Sequence, residues 1–218
     1  MAKSAEARAA ILARLRAAKA AHTSSDAGET EAYLRAHARG PLPAVEGDLV
    51  ERFRNQAEAM QASTDRVASE AEVPAAVAAY LARNGLPARG CVAPQLAALD
   101  WAGAGLALRS GAASPGDPVG VTGAYAAIAE TGTLVLLSGP DTPASASLLP
   151  ETHVAVVRAD RIVAHMEDAW ALLRSERGEL PRAVNLVSGP SRTADIDQQI
   201  VFGAHGPYRV HIIVVGDT

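Results

Sequence analysis

"HVAVVRADRIVAHMEDAWALLRSERGELPRAVNLVSGP", residues 153–190, sets an apolar run of strand length before a stretch with helical spacing, then a second apolar run that stops at Ser-Gly-Pro. Short continuous apolar runs suit strands and apolar residues three and four apart suit helices, so the stretch reads strand, helix, strand. The same texture fills the chain after residue 88. "GCVAP", "LALRSG", "VGVTG", "TLVLLSGP" and "YRVHIIVVG" have strand length, and "AYAAIAE" and "MEDAWALLRSE" read as helical stretches between them. This alternation predicts an α/β domain with a largely parallel sheet. Runs such as "TLVLL" and "IIVV" lack polar alternation, as expected of strands covered on both faces.

Upstream, "VPAAVAAYLARNGL" carries Pro74 at a first-turn position and Asn84-Gly85 as a stop, and "LVERFRNQAEAMQASTDRVAS", residues 49–69, has helical spacing. From His22 to about Asp48, "HTSSDAGET" and "RGPLPAVEGD" supply turn formers without an apolar period, the composition of a linker or an extended wrapping arm. Residues 4–21 place Ile11, Leu12 and Leu15 on one helical face, with Arg8, Arg14 and Arg16 elsewhere, a pattern for a surface helix. The expected layout is an N-terminal helix and extended arm over residues 1–48 and an α/β domain over residues 49–218. No fixed-period repeat is present.

At 218 residues, with 49% hydrophobic and 20% charged residues, the chain can bury a sizeable core. A net charge of −4 gives no global positive field for nucleic acid, and no lysine-rich block marks an anionic membrane surface. No run approaches the ~20 apolar residues needed to span a bilayer, and the first residues lack the features of a secretory signal, so a cytoplasmic protein is expected. Cys91 is the one cysteine, which excludes an intrachain disulfide and an all-cysteine iron–sulfur cluster held by this chain alone. Within "RGCVAP" it reads as a small core residue. Six scattered histidines without ligand spacing predict no metal site.

Three junctions carry the polar chemistry. In "SGPSRTADIDQQ", Ser188, Ser191 and Thr193 supply hydroxyls, the amides around Gly189 and Ser191 can face outward, and Arg192 adds a planar cation, a set that suits a carboxylate or phosphate. The alternative is that Ser191 or Thr193 caps a helix with Asp195 and Asp197 in its first turn. In "FGAHGP", residues 202–207, His205 sits between Gly203 and Gly206, with Pro207 fixing the exit into the last strand. That makes it an acid–base or ligand-contact candidate, or a turn histidine bonded to a backbone carbonyl. In "AETGTLVL", Glu130 precedes Thr131-Gly132-Thr133 and could act as nucleophile, base or hydrogen-bond acceptor, or simply hold the turn. Ser191, Asp195 and His205 are also the residue types of a hydrolase triad, which only geometry defines. Because "SGP" twice follows a strand-like run, the strand-end rule for open α/β sheets places these residues where ligands bind. A G-x-x-x-x-G-K-[ST] loop, a G-x-G-x-x-G fingerprint, H-E-x-x-H and G-x-S-x-G are all absent.

Taken together, "GVTGAYAAIAETGTLVLLSGP", "SLLPETHVAVV", "IVAHMEDAWALL", "SGPSRTADIDQQIVFGAHGP" and "VHIIVVG" resemble the LUD-domain family in its LutC-type lactate-utilisation branch, in order, over roughly residues 85–216. The resemblance implies a Rossmann-like three-layer α/β sandwich of the ribose-5-phosphate isomerase, glucosamine-6-phosphate deaminase and CoA transferase type. It also implies a role in oxidising L-lactate to pyruvate with LutA-type and LutB-type iron–sulfur proteins, the clusters sitting on those partners and no cofactor on this chain. Family motifs carry over to Glu130, Thr131, Gly132 and Thr133, to Gly189, Pro190, Ser191, Arg192, Thr193 and Asp195, and to Gly203, His205, Gly206 and Pro207. On this reading Arg192 clamps a carboxylate, Ser191 and Thr193 orient it, and His205 with Glu130 relays a proton. A looser likeness of "Glu-x-Gly" to the glutamate loop of CoA transferases makes Glu130 an acyl acceptor in a stand-alone CoA-transferase-like or sugar-phosphate enzyme. A third possibility is a non-catalytic subunit docking through residues 1–48, and a homo-oligomer is compatible with all three.

Overall fold

A computed structural model describes residues 2–21, 27–194 and 199–216. The chain forms two compact units, Met1–Pro43 and Ala44–Thr218. The first holds α1 (Ala2–Ala21) and α2 (Ala27–Ala36). Ile11, Leu15, Tyr33 and Leu34 are exposed. The second helix lies inside the segment read as extended, where Glu31 and Arg35 pair one turn apart at 2.6 Å.

The second unit opens with α3 (Leu49–Ala59), which starts where the Asp48 carboxylate accepts from the Val50 and Glu51 amides at 2.7 and 3.0 Å. Its stop corrects the helical reading of residues 49–69: Gln61 turns through a positive φ of 68°, and the chain enters strand β1 (Ser63–Val67). Helix α4 (Val73–Arg83) has Pro74 in its first turn and ends as expected, with Gly85 left-handed at φ 62°. Strands β2 (Arg89–Val92), β3 (Ala107–Ser110) and β4 (Val119–Gly123) follow. Next come β5 (Ala126–Ile128), β6 (Thr133–Leu137), the short helix α5 (Ser145–Leu148) and β7 (Thr152–Arg158). The chain closes with β8 (Ile162–Val163), α6 (Met166–Glu176), β9 (Val184–Val187), the pair β10 (Arg192–Thr193) and β11 (Val201–Phe202), and β12 (Arg209–Val215).

Six strands form an all-parallel sheet in the order β1-β12-β7-β4-β2-β3. Side chains alternate across β12, so Val210, Ile212 and Val214 pack with Phe53 and Ala57 of α3, while Ile213 and Val215 pack with Val77 and Leu81 of α4. Burial on both faces explains why this strand reads as an unbroken apolar run.

A second sheet, β8-β5-β6-β9, pairs β6 antiparallel to both neighbours. One face packs against the α3 core through Ala127 and Leu134, and the other packs against Ala169 and Leu173 of α6 through Ile128 and Val135. The sheet corrects two readings. "AYAAIAE" holds strand β5, because Ala126 and Ala127 are buried on opposite faces and pair with β6, and that tertiary pairing overrides alanine's helix propensity. The two strands of the stretch at 153–190 also part company: β7 sits within the parallel sheet and β9 at the edge of the second. Among the described residues no helix is long and apolar enough to cross a membrane.

Candidate functional site

Glu130 closes the β5 side of a hairpin, fixed by its amide donating to the Ala164 carbonyl at 3.0 Å. Its carboxylate lies 2.9 Å from His165 Nδ1, with the two side chains 26% and 13% exposed. His165 is held in turn as the N-cap of α6, its amide donating to the Asp168 carboxylate at 3.0 Å. The result is a preorganised carboxylate–imidazole pair. Histidine is not among the usual N-cap residues, so the sequence does not single out His165; the one local signal is Asp168 in the first turn of the helix.

The other side of the hairpin is stitched by hydroxyls. Thr131 and Thr133 bond at 2.7 Å, and Thr133 and Ser188 bond at 2.5 Å, joining the hairpin turn to the first Gly-Pro loop. Gly132 and Gly189, at φ 65° and 70°, press against the end of α3: a Cβ on Gly132 would overlap the Ala57 amide, and one on Gly189 the Met60 carbonyl. Only glycine combines that handedness with that approach.

Ser191 is the hub of the two Gly-Pro loops. Its amide donates to the Pro207 carbonyl at 2.9 Å, its carbonyl accepts from Gly203 at 3.0 Å, and its hydroxyl accepts from the His205 amide at 3.3 Å. The β10–β11 pairing of Arg192 with Phe202 and of Thr193 with Val201 completes the zipper. Gly206 allows the close pass, its Cβ position lying 3.3 Å from that of Ser191. Pro190 and Pro207 are buried, and the side chains of Arg192 and His205 are exposed. The Arg192 guanidinium touches the Met60 sulfur at 3.8 Å.

These contacts revise the sequence expectations. The Ser191 amide is engaged by Pro207 and is closed to an anion. Thr193 lies in a strand, and neither it nor Ser191 caps a helix among the described residues. The Ser191 hydroxyl meets the backbone of His205 instead of its ring, so no serine triad is assembled there; Asp195, its proposed third member, lies outside the described residues. Glu130 is bonded to His165, not to His205. The two "SGP" steps do not converge: they end β6 and β9, which are antiparallel, with Leu137 opposite Val184 and Leu134 opposite Val187. They leave the second sheet at opposite ends. The 203–207 loop enters β12 at the amino edge of the parallel sheet, opposite to where the strand-end rule places ligands.

Two other histidines lie in the parallel sheet. His153 is fully buried, with Nε2 2.8 Å from the Thr122 hydroxyl and Nδ1 without a partner. His211 is stacked 3.8 Å from Tyr80, with Nδ1 2.8 Å from the Ser63 hydroxyl and Nε2 3.5 Å from Asp65, itself paired with Arg83. A serine, a histidine and an aspartate therefore meet here. Burial, only partly countered by Asp65, lowers His211 to about 4, and burial alone does the same for His153. Both rings are closed off from solvent, His153 fully and His211 to 1% exposure, and pack as part of the sheet. Cys91 is a core residue as expected, its thiol raised by burial to about 11.

Comparison with known proteins places these loops in a family. The LUD domain profile matches residues 117–215. Lactate utilization protein C of Bacillus licheniformis is 41% identical over 102 residues, 45% of this chain and 42% of that protein. The proteins of that name from Bacillus subtilis and Halalkalibacterium halodurans are 39% and 42% identical over 102 residues, again 45% of this chain and 42% and 44% of theirs. The chain thus spans less than half the length of these curated relatives. The crystal structure of a DUF162 family protein from Deinococcus radiodurans superposes with a TM-score of 0.61 at 28% identity, covering 80% of this chain and 100% of that one. Residues 117–215, which hold the β5–β6 hairpin and both Gly-Pro loops, are the part of the chain that matches the LUD domain family.

Proposed function

We propose that the chain is a LutC-type component of a lactate utilisation system and that its two zipped loops present a small-anion site built on Arg192 and His205. The observation that carries the site is the Ser191 hub. By tying residues 189–193 to 203–207 it holds an exposed guanidinium and an exposed imidazole on one rigid pair of loops. With the backbones of both loops already tied, meeting a carboxylate requires ordering only of the two side chains. The lactate assignment is supported by the similarity to lactate utilization protein C and by the LUD domain match, which spans these loops. With one cysteine, buried, this chain supplies no cluster ligands of its own, so electron transfer falls to LutA-type and LutB-type iron–sulfur partners. Glu130 on the β5–β6 hairpin and His165 at the start of α6 form a hydrogen-bonded carboxylate–imidazole pair.

Thermal unfolding with lactate, pyruvate, phosphate, ribose 5-phosphate and acetyl-CoA tests the site. A ligand at 100 times its dissociation constant stabilises the folded state by about 2.7 kcal/mol. Lactate or pyruvate should raise the midpoint, and Arg192→Ala should abolish the rise while leaving the unliganded midpoint unchanged. A shift with acetyl-CoA alone, or one that survives Arg192→Ala, refutes this site.

A further inference from the structure

The six parallel strands end along one rim, away from every residue discussed above as a site. The chain leaves β2 for β3 on one side, while β4, β7 and β12 step away on the other, so winding reverses at the β2–β4 pair. Loops diverge at such a point and open a crevice at the carboxyl ends of the strands. Two cavities occupy this rim. One, of about 330 Å³, lies over the ends of β1, β12 and β7 and is lined by Glu70, Asp160 and Gly216 among others. The second, of about 190 Å³, lies over β4 and β2 and is lined by Gln95, Leu96, Gly123 and Val156 among others. Glu70 and Arg158 line both.

The two compartments differ in chemistry. In the larger, the Arg158 charge is already met by Asp160, through Nε at 3.0 Å and Nη2 at 2.6 Å. Glu70 adds a second carboxylate to this one guanidinium, and the compartment is net negative. It therefore rejects phosphates and carboxylates and accepts hydrogen bonds from hydroxyl groups. In the smaller, Leu96 and Val156 give apolar walls, and the Gln95 carboxamide lies so close to Gly123 that a Cβ there would overlap it. That amide offers both donors and an acceptor to the edge of a flat, polar-rimmed ring. The planar Arg158 guanidinium stands between the two compartments and suits a π face.

We propose that this rim binds an uncharged ribonucleoside, its ribose diol on the Glu70 side and its base between Leu96 and Val156 with Gln95 at the edge. The site is separate from the Arg192 loops and stands or falls without them.

Saturation-transfer NMR and thermal unfolding of the full chain with adenosine, guanosine, 2′-deoxyadenosine, ribose and ADP test it. One of the two ribonucleosides should bind saturably, and the deoxynucleoside should bind roughly 10-fold more weakly for the loss of a hydrogen bond to a charged acceptor. Glu70→Gln should weaken ribonucleoside binding and Gln95→Ala should reduce discrimination between bases. Both side chains lie on the surface rim, so folding is preserved and is verified by circular dichroism. No saturation by either ribonucleoside at about 10 mM, equal binding of the deoxy compound, ribose binding as well as the nucleoside, or ADP binding more tightly than adenosine would each overturn the proposal.

Discussion

Acid should unfold this protein earlier than its carboxylates alone would dictate, because two neutral imidazoles are sealed in the parallel sheet. His153 and His211 ordinarily titrate at 6.5 and are both lowered to about 4 in the folded state. The unfolded chain therefore takes up two protons near pH 6.5 that the folded chain refuses until pH 4. Their contribution is fully present above pH 6.5, is lost as pH falls towards 4, and is exhausted below it. A tenfold change in proton affinity between the two states corresponds to about 1.36 kcal/mol, so each ring contributes about 3 kcal/mol across that window. By pH 5 the two together should cost about 4 kcal/mol, a large part of a typical stability of about 5–15 kcal/mol. Urea unfolding followed by far-ultraviolet circular dichroism at pH 7.0, 6.0 and 5.0 measures this loss directly. His211→Gln, whatever it does to stability at pH 7, should halve the slope. Glu176, held to about 2 by Arg161 and Tyr125, loses its contribution as pH falls from 4.5, below the pH range of this assay. A free energy of unfolding that changes by less than about 1 kcal/mol between pH 7.0 and 5.0 would refute the reasoning.

Two further outcomes are expected. Gly189→Ala combines a left-handed residue at φ 70° with a Cβ driven into the Met60 carbonyl, and should cost about 2–4 kcal/mol; chemical denaturation checks it, and a change within ~0.5 kcal/mol would mean that the loop does not press on α3. Cys91, buried with its thiol raised to about 11, should resist a disulfide reagent such as 5,5′-dithiobis(2-nitrobenzoic acid) in the native protein and react at once in 6 M guanidinium chloride, so rapid native labelling would contradict its place in β2.

The parts of the fold legible in the sequence are those whose environment is uniform along the element. Strands β4, β7 and β12 are covered on both faces and read as apolar runs; α4 and α6 carry one apolar stripe and recognisable ends. The misreadings share a cause. Strand β1, "STDRV", is an edge strand with exposed Ser63 and Arg66, so it has no apolar run to announce it. Strand β5 is written mainly in alanine, and only its pairing with β6 makes it extended. Of the candidate site, the sequence offers a set of residues and not their arrangement. Glycine and proline marked Gly132, Gly189, Pro190 and Pro207 as fixed points, and each is buried. Nothing local indicates that Glu130 would bond a histidine 35 positions away, or that the Ser191 amide would be taken up by Pro207.

The strand made last fills the second place in the parallel sheet, between β1, which is made first, and β7. On a ribosome, β1 therefore waits unpaired while β2 to β11 are synthesised, and α3 and α4 have only part of the sheet to rest on until residues 209–215 emerge. Closing the sheet is therefore a late, long-range step, and apolar surface stays open until β12 is in place. A stall or break before β12 would leave β1 without a strand to pair with, and α3 and α4 with the β12 part of their cores missing.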